Sequence, residues 1–413
     1  MTNKKENRAE KREANKSRAV SGRRRKEIMQ LLQDPAISEE EKDRLMEELY
    51  QGIDMKAGNE LRRDGNMDKE KKTIEVVYAE PIDYFPKEIR EKYGLGEFAE
   101  REDIQKIKAV MIGHAVGDAL GLPVEFCSRE ELKEEPVTDM QGYGTYPVPA
   151  GAWSDDTSMS LAALEVLCRK NWRWDYIMNN FVGWLRDGNN TPTGEAFDVG
   201  GTCLKAIENY TYDSRPALEC GLTEERSNGN GSLMRIHPFV LYAYARGMGR
   251  GEWEDLIRSA SALTHAHERS RLGCLIYAYV LMHLLHDPDR SVVWTALRRA
   301  DSCLRDHPEF SHYSRLFNYQ FQNLPESEIK STGYVVDTLE AALWCVLTTG
   351  NYRDCVLKAV NLGDDTDTVA AVAGGLAGAI YGYEGIPKEW RDTLIKQDYI
   401  EEMCERAGKA WGA

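Results

Sequence analysis

The chain has 413 residues, 42% of them hydrophobic and 29% charged, with a formal net charge of −15. That balance describes a globular chain with a sizeable core and excludes a fibrous or wholly disordered one. No apolar run is read as reaching the ~18 residues that span a bilayer, the N-terminus lacks the apolar core of a signal peptide, and nine cysteines without a CxxC pair argue against a disulfide framework or thiolate zinc site and for a reducing cytoplasm.

Charge is unevenly spread along the chain. Residues 1–27 carry eleven Lys/Arg against four Glu, a local +7 that leaves −22 for the remainder. An acidic body argues against nucleic-acid binding by the main domain. The basic arm has almost no apolar side chains and reads as a solvated tail, disordered or marginally helical. Its run Gly22-Arg23-Arg24-Arg25-Lys26 is a solvated segment first, and a contact for RNA, anionic lipid or an acidic partner second. Two short helical patterns follow, the second opening on the capping box Ser38-Glu39-Glu40-Glu41. Thr73 to Tyr78 is β-branched and aromatic, a candidate lone strand ended by Pro81 and Pro86. Residues 1–98 thus read as an appended charged region, and 99–413 as the main domain.

From about residue 100 helical periodicity takes over. The predicted helices are 103–121, 157–170, 174–187, 195–209, 232–245, 251–264, 268–286, 290–304, 334–349, 352–361 and 366–381. Period-two patterns are nearly absent, so the domain is expected to be all-α, with polar motifs at helix ends facing a common cleft. The loops hold the Gly, Pro, Asn and Asp clusters Gly142 to Gly151, Gly188 to Gly194 and Ser227 to Gly231. Val369 to Gly382 is rich in Gly and Ala, as expected of a helix packed closely against its neighbours.

Two acidic clusters carry the chemistry: Ser154-Asp155-Asp156-Thr157 and Gly363-Asp364-Asp365-Thr366-Asp367-Thr368, each at the head of an apolar helix. Ser and Asp are also favoured N-caps, worth about 1 kcal/mol, and capping alone would account for a single such cluster. Two clusters, the second with aspartates at alternate positions, exceed what capping requires, because crowded carboxylates repel one another and need a counter-cation. Carboxylate and hydroxyl oxygens suit Mg²⁺ or Mn²⁺ better than zinc.

Three further segments stand out. Gly113 to Gly121 is a Gly-spaced helix running into Leu122-Pro123-Val124-Glu125-Phe126. Asn228, Gly229, Asn230, Gly231 and Ser232 form a Gly-rich turn running into a helix, where free N–H groups are suited to a phosphate, although a lone Gly-rich turn is usually only a turn. His265 and His267 are two apart, which does not put them on one helix face as a zinc pair; His265 is balanced between a substrate contact and a satisfied core residue.

Taken together these segments resemble the ADP-ribosylglycohydrolase family: GDALGLPVEF at 117–126, GAWSDDTSMSLAAL at 151–164, SNGNGSLMR at 227–235, LTHAHERS at 263–270, GYVVDTLEAALW at 333–344 and LGDDTDTVAAVAGGLAGAIYG at 362–382. The resemblance covers about 103–412 and omits the N-terminal hundred residues. It implies an orthogonal multi-helix fold with a binuclear Mg²⁺ or Mn²⁺ site. By motif the metal ligands are Ser154, Asp155, Asp156, Asp365, Asp367 and Thr368. Ser154 stands where several relatives have Thr, and Asp364, where many have Gly, is not counted as a ligand. The resemblance also implies that Glu125 lies beside the metals, where Glu125, Asp155 or Asp156 takes a proton from water. The turn at 228–232 and His265 would meet the pyrophosphate or adenosine side of an ADP-ribose substrate. The expected activity is hydrolysis of ADP-ribose from a modified protein, Arg- or Ser-linked. The alternatives are hydrolysis of a small ADP-ribose derivative or polymer, and a non-catalytic ADP-ribose-binding or structural relative. The oligomeric state is left open.

Overall fold

The structure is a computed structural model that describes residues 97–412. The readings of the basic arm, the two short helical patterns and the strand at Thr73 to Tyr78 lie outside the described residues. The described part is all-α: among its residues the β-type pairings are two isolated bridges, Leu222 with His265 and Gly229 with Tyr334.

Helix α1 (Glu97–Gly121) runs antiparallel to α12 (Thr366–Tyr381), and this pair is the centre of the molecule. Their contact is made of glycine. A Cβ on Gly113 would lie 2.5 Å from the carbonyl oxygen of Gly374, one on Gly117 2.1 Å from that of Ala370, and one on Gly121 2.4 Å from the Cα of Asp367. In return, Cβ atoms on Gly374 and Gly378 would lie 2.3 Å and 2.0 Å from the carbonyl oxygens of Gly113 and Ala109. Glycines four apart lie on one helix face, so two such stripes let the backbones approach without intervening side chains. Tyr352, from α11 (Tyr352–Val360), ties the contact down by donating its hydroxyl to the Gly113 carbonyl at 2.6 Å.

The segment Asp103–Val124 is apolar and long enough to cross a membrane by composition, which corrects the sequence expectation; 94% of its most apolar window is buried inside the protein, as a core helix. The other predicted helices form close to their expected places: α3 (Asp155–Leu167), α4 (Trp174–Asp187), α7 (Arg250–Ala262), α8 (Glu268–His286), α9 (Val292–Leu304) and α10 (Val335–Thr348). Two start late. Helix α5 begins at Gly201 and ends at Thr211, after the Gly200-Gly201 pair breaks the pattern, and α6 (His237–Ala245) begins where Pro238 fits a first turn. The turn at 228–232 therefore does not open a helix directly, and the helix-start argument for phosphate binding falls there.

Three helices were not foreseen: α2 (Arg129–Glu134), α13 (Lys388–Thr393) and α14 (Gln397–Trp411). The last buries Ile400, Met403, Cys404, Ala407 and Trp411, an apolar face at helical spacing. It packs on α1, where Lys108 meets Glu401 and Glu405 at 3.3 and 2.9 Å. All nine cysteines are free thiols.

The glycine interlock makes a direct prediction. Gly117→Ala forces backbone against backbone and should cost about 3 kcal/mol, while Gly251→Ala, in the first turn of α7 with no heavy atom within 4 Å of the added Cβ, should be neutral or slightly stabilising. Chemical denaturation of the two variants measures this, and equal midpoints would contradict the interlock.

Candidate active site

The interlock sets the head of α12 against the tail of α1, and the polar residues gather there. The Thr366 hydroxyl donates to the Gly121 carbonyl at 2.9 Å. Beyond Gly121 the chain makes a 3-10 turn, Leu122–Val124, and delivers Glu125, which is 5% exposed. The first cluster arrives on α3. Ser154 does cap that helix, its Oγ accepting from the Asp156 N–H at 3.2 Å, so capping and the acidic cluster share one residue.

Asp118 of α1 holds α3 in place. One of its carboxylate oxygens accepts from the Ser154 N–H at 2.9 Å; the other accepts from the Thr157 N–H at 3.1 Å and the Thr157 hydroxyl at 2.6 Å. The two clusters then touch directly: the Thr368 hydroxyl donates to Asp156 Oδ1 at 3.3 Å. Thr368 also donates its N–H to Asp367 Oδ1 at 2.9 Å, fixing the rotamer of that carboxylate. Asp365 is anchored from a third side, its N–H donating to the Ser331 carbonyl at 3.0 Å and its Oδ2 accepting from the Asn230 side-chain amide at 2.9 Å.

Asp198 and Tyr146 complete the group, and sequence reasoning did not single them out. Glu125, Asp198 and Asp367 each offer a carboxylate oxygen within 4.8 Å of the other two. Asp198 sits in the loop before α5 with φ 54°, and its Oδ1 accepts the Tyr146 hydroxyl at 2.8 Å. Tyr146 belongs to the Gly142 to Gly151 loop, which is bound to the 3-10 turn through Thr145: its N–H donates to the Pro123 carbonyl at 2.9 Å and its hydroxyl to the Glu125 carbonyl at 2.7 Å. Asp118 and Asp198 were invisible as single aspartates in Gly-rich segments, where such residues ordinarily mark turns.

The electrostatics are those of crowded, buried acids. Burial holds the carboxyls of Glu125, Asp155, Asp156 and Asp367 well above the usual carboxylate range, and neighbouring carboxylates push them further. Burial raises Asp198 to about 7, against the pull of the Tyr146 hydrogen bond. Burial likewise raises Asp118 to about 6, against the hydrogen bonds from Thr157 and Ser154. Among the described residues, none of these carboxylates forms an ion pair with Lys or Arg. Two oxygens, Glu125 Oε2 and Asp156 Oδ2, are buried with no hydrogen-bond partner. Unpaired buried charge is costly, and a set of carboxylate and hydroxyl oxygens with orphaned lone pairs fits a hard divalent cation.

The Gly-rich turn borders this group. Asn230 reaches Asp365 and also donates to the Thr338 hydroxyl at 2.9 Å, while its N–H donates to the Gly333 carbonyl at 3.0 Å. His265 lies behind the turn. Cβ atoms on Gly229 and Gly231 would stand 3.6 Å from its Nε2 and 2.9 Å from its Cε1, so glycine here lets turn and imidazole meet. Burial, with Arg235 adding to it, lowers His265 to about 3, leaving it a neutral imidazole whose Nδ1 is paired with the Thr264 hydroxyl at 2.9 Å. Two side chains of the turn face elsewhere. Ser232 is fully buried against Ser261 at 2.9 Å, and Asn228 is spent on the Glu225 carbonyl and the Ser270 hydroxyl at 3.1 and 2.9 Å. Asp364 is exposed with φ 60°, a backbone position that favours Gly and tolerates Asp.

Known proteins resemble this chain in sequence and in fold. The ADP-ribosylglycohydrolase family model matches residues 99–413. The ADP-ribosylarginine hydrolase Tri1 of Serratia proteamaculans is 34% identical over 309 residues, covering 74% of this chain and 80% of that protein. The ADP-ribosyl-[dinitrogen reductase] glycohydrolase of Rhodospirillum rubrum is 30% identical, covering 68% of this chain and 88% of that protein. A solved structure described as an ADP-ribosylglycohydrolase-related protein complex superposes with a TM-score of 0.63 at 29% identity, over 75% of this chain and 99% of that one. The chain belongs to the ADP-ribosylglycohydrolase family.

Proposed function

We propose that this enzyme hydrolyses the N-glycosidic bond between ADP-ribose and an arginine side chain of a modified protein, with a pair of Mg²⁺ or Mn²⁺ ions in the carboxylate ring. The observation that carries the reading is the convergence of Glu125, Asp155, Asp156, Asp198, Asp365 and Asp367 with no Lys or Arg partner among the described residues. The arginine linkage is supported by the Serratia relative and by a 33% identical ADP-ribosylarginine hydrolase Tri1 of Pseudomonas putida. Ser154, Asp155, Asp156, Asp365, Asp367 and Thr368 are the proposed ligands, with Asp198 added to them.

Divalent cations held by these residues would supply Lewis-acid polarisation of the ribose hydroxyls and of water. The chain's own residues supply the rest. Thr368 and Asn230 hold the carboxylates of Asp156, Asp367 and Asp365 in fixed orientations, and Asp118 holds the start of α3, so little reorganisation accompanies reaction. Glu125 Oε2, unpartnered, takes a proton from water as the water oxygen attacks the anomeric carbon. The bond to the acceptor nitrogen breaks, its electron pair leaves with the guanidine, and the proton returns to that nitrogen. The backbone of the turn at Asn228, Gly229, Asn230, Gly231 and Ser232, backed by neutral His265, borders the ADP side. We place the functional unit at 99–413, with 1–98 appended, in a reducing cytoplasm that suits nine unpaired thiols.

Asp367→Ala, and separately the Asp155→Asn/Asp156→Asn double variant, should lower hydrolysis of ADP-ribosylarginine by at least about a hundredfold. In chelator both should melt no lower than wild type, because each removes buried like charge. Full activity in either would sink the reading; Asn is the telling choice, since it keeps the size of Asp, removes only the carboxylate and leaves the Ser154 cap in place.

The pH dependence has a defined sign. Without metal, carboxyls raised to about 6 and 7 (Asp118 and Asp198) retain protons that the unfolded chain has released. Their contribution to stability is present at low pH and lost as pH rises through those values. Cations replace the protons, so the rise in melting temperature on adding Mg²⁺ or Mn²⁺ should grow between about pH 5 and pH 8. A constant or shrinking rise would contradict the site. Finally, removing residues 1–72 should leave hydrolysis of free ADP-ribosylarginine unchanged; a folded truncation that loses it would move the proposed boundary.

A further inference from the structure

Beside Glu125 and Asp365, two residues joined by a backbone hydrogen bond are held in conformations that other residues would adopt more readily. Phe126, next to Glu125, has φ 63° and a side chain 71% exposed; Asp364, next to Asp365, has φ 60° and is also exposed. A bulky residue in the left-handed region is an outlier. An exposed phenyl ring gains no burial to offset it.

The two positions are locked to each other. The Phe126 N–H donates to the Asp364 carbonyl, and the Asp364 N–H to the Cys127 carbonyl, both at 2.8 Å. Arg129 braces the same rim, its guanidinium donating to the carbonyls of Leu362, Glu326 and Ile329 at 2.7, 2.6 and 2.6 Å. Gly363, at φ 82°, is pressed against the Arg129 N–H, where a Cβ would lie 2.5 Å away. The backbone is therefore rigid while both side chains face solvent. Strain of this kind, held by surrounding bonds beside a reactive centre, points to a use for the side chains displayed.

We propose that Phe126 and Asp364 form a rim subsite for a basic residue flanking the modified arginine of the acceptor protein. An aromatic face and a carboxylate on one rigid edge match a guanidinium, which stacks on the ring and pairs with the carboxylate through its N–H groups. The net charge of −15 favours the same cationic partner. The subsite rests on the functional reading above and specifies which acceptors it prefers.

The test compares an ADP-ribosylated arginine peptide with Arg at its flanking positions, the same peptide with Ser there, and free ADP-ribosylarginine. The variants are Phe126→Gly and Asp364→Asn; both suit the backbone, since Gly favours and Asn tolerates the left-handed region. Wild type should prefer the Arg-flanked peptide through KM. Each variant should raise KM for that peptide by about tenfold, leaving kcat, the Ser-flanked peptide and free ADP-ribosylarginine unchanged. A preference that survives in both variants overturns the subsite, as does an equal loss on free ADP-ribosylarginine, which would place the two residues in the reacting centre. Wild type that hydrolyses none of the three overturns the functional reading itself and the subsite with it.

Discussion

The close approach of α1 and α12 is the constraint from which the rest follows. Backbones with facing glycines at 113, 117, 121, 374 and 378 can approach closely only in a fixed register. That register sets the end of one helix, with Gly121 and Glu125, beside the start of the other, with Asp365, Asp367 and Thr368. Asp118, one residue after Gly117, then projects toward α3 and holds Ser154 and Thr157, on either side of Asp155 and Asp156, by three hydrogen bonds. A packing device thus acts as a positioning device for both acidic clusters.

That arrangement is electrostatically expensive. Carboxylates buried without basic partners repel one another and lose their hydration. The fold limits the cost with neutral donors: Tyr146 on Asp198, Asn230 on Asp365, Thr157 on Asp118 and Thr368 on Asp156. None of these is a basic group, so the ring keeps the chemistry of a site that could hold a cation. A site whose carboxylates were satisfied by Lys or Arg would be more stable alone and would have no lone pairs to offer.

Much of this was legible in the sequence because it is written in local patterns. The helix at 366–381 follows from an apolar run behind an acidic cap, and its small residues announced a close contact. The two clusters were visible because aspartates repeated at helix starts exceed the needs of capping. What escaped was what only tertiary structure assembles. Asp198 stands alone in a Gly-rich loop and becomes part of the ring when Tyr146, from a separate loop, reaches it. Ser232 and Asn228 look like ligand contacts in a turn, yet their side chains point inward because Ser261 of α7 and Ser270 of α8 supply partners on that side. Helix α14 carried a plain apolar face, Ile400 to Trp411, and was passed over.

The central claim is that the two acidic clusters, with Glu125 and Asp198, form one cation site. Anomalous diffraction from a crystal soaked in Mn²⁺ tests it most directly. The account predicts two manganese peaks within the ring, ligated by oxygens from both the 154–156 and the 365–368 segments. A ring without manganese, or manganese bound by one segment alone, would contradict it.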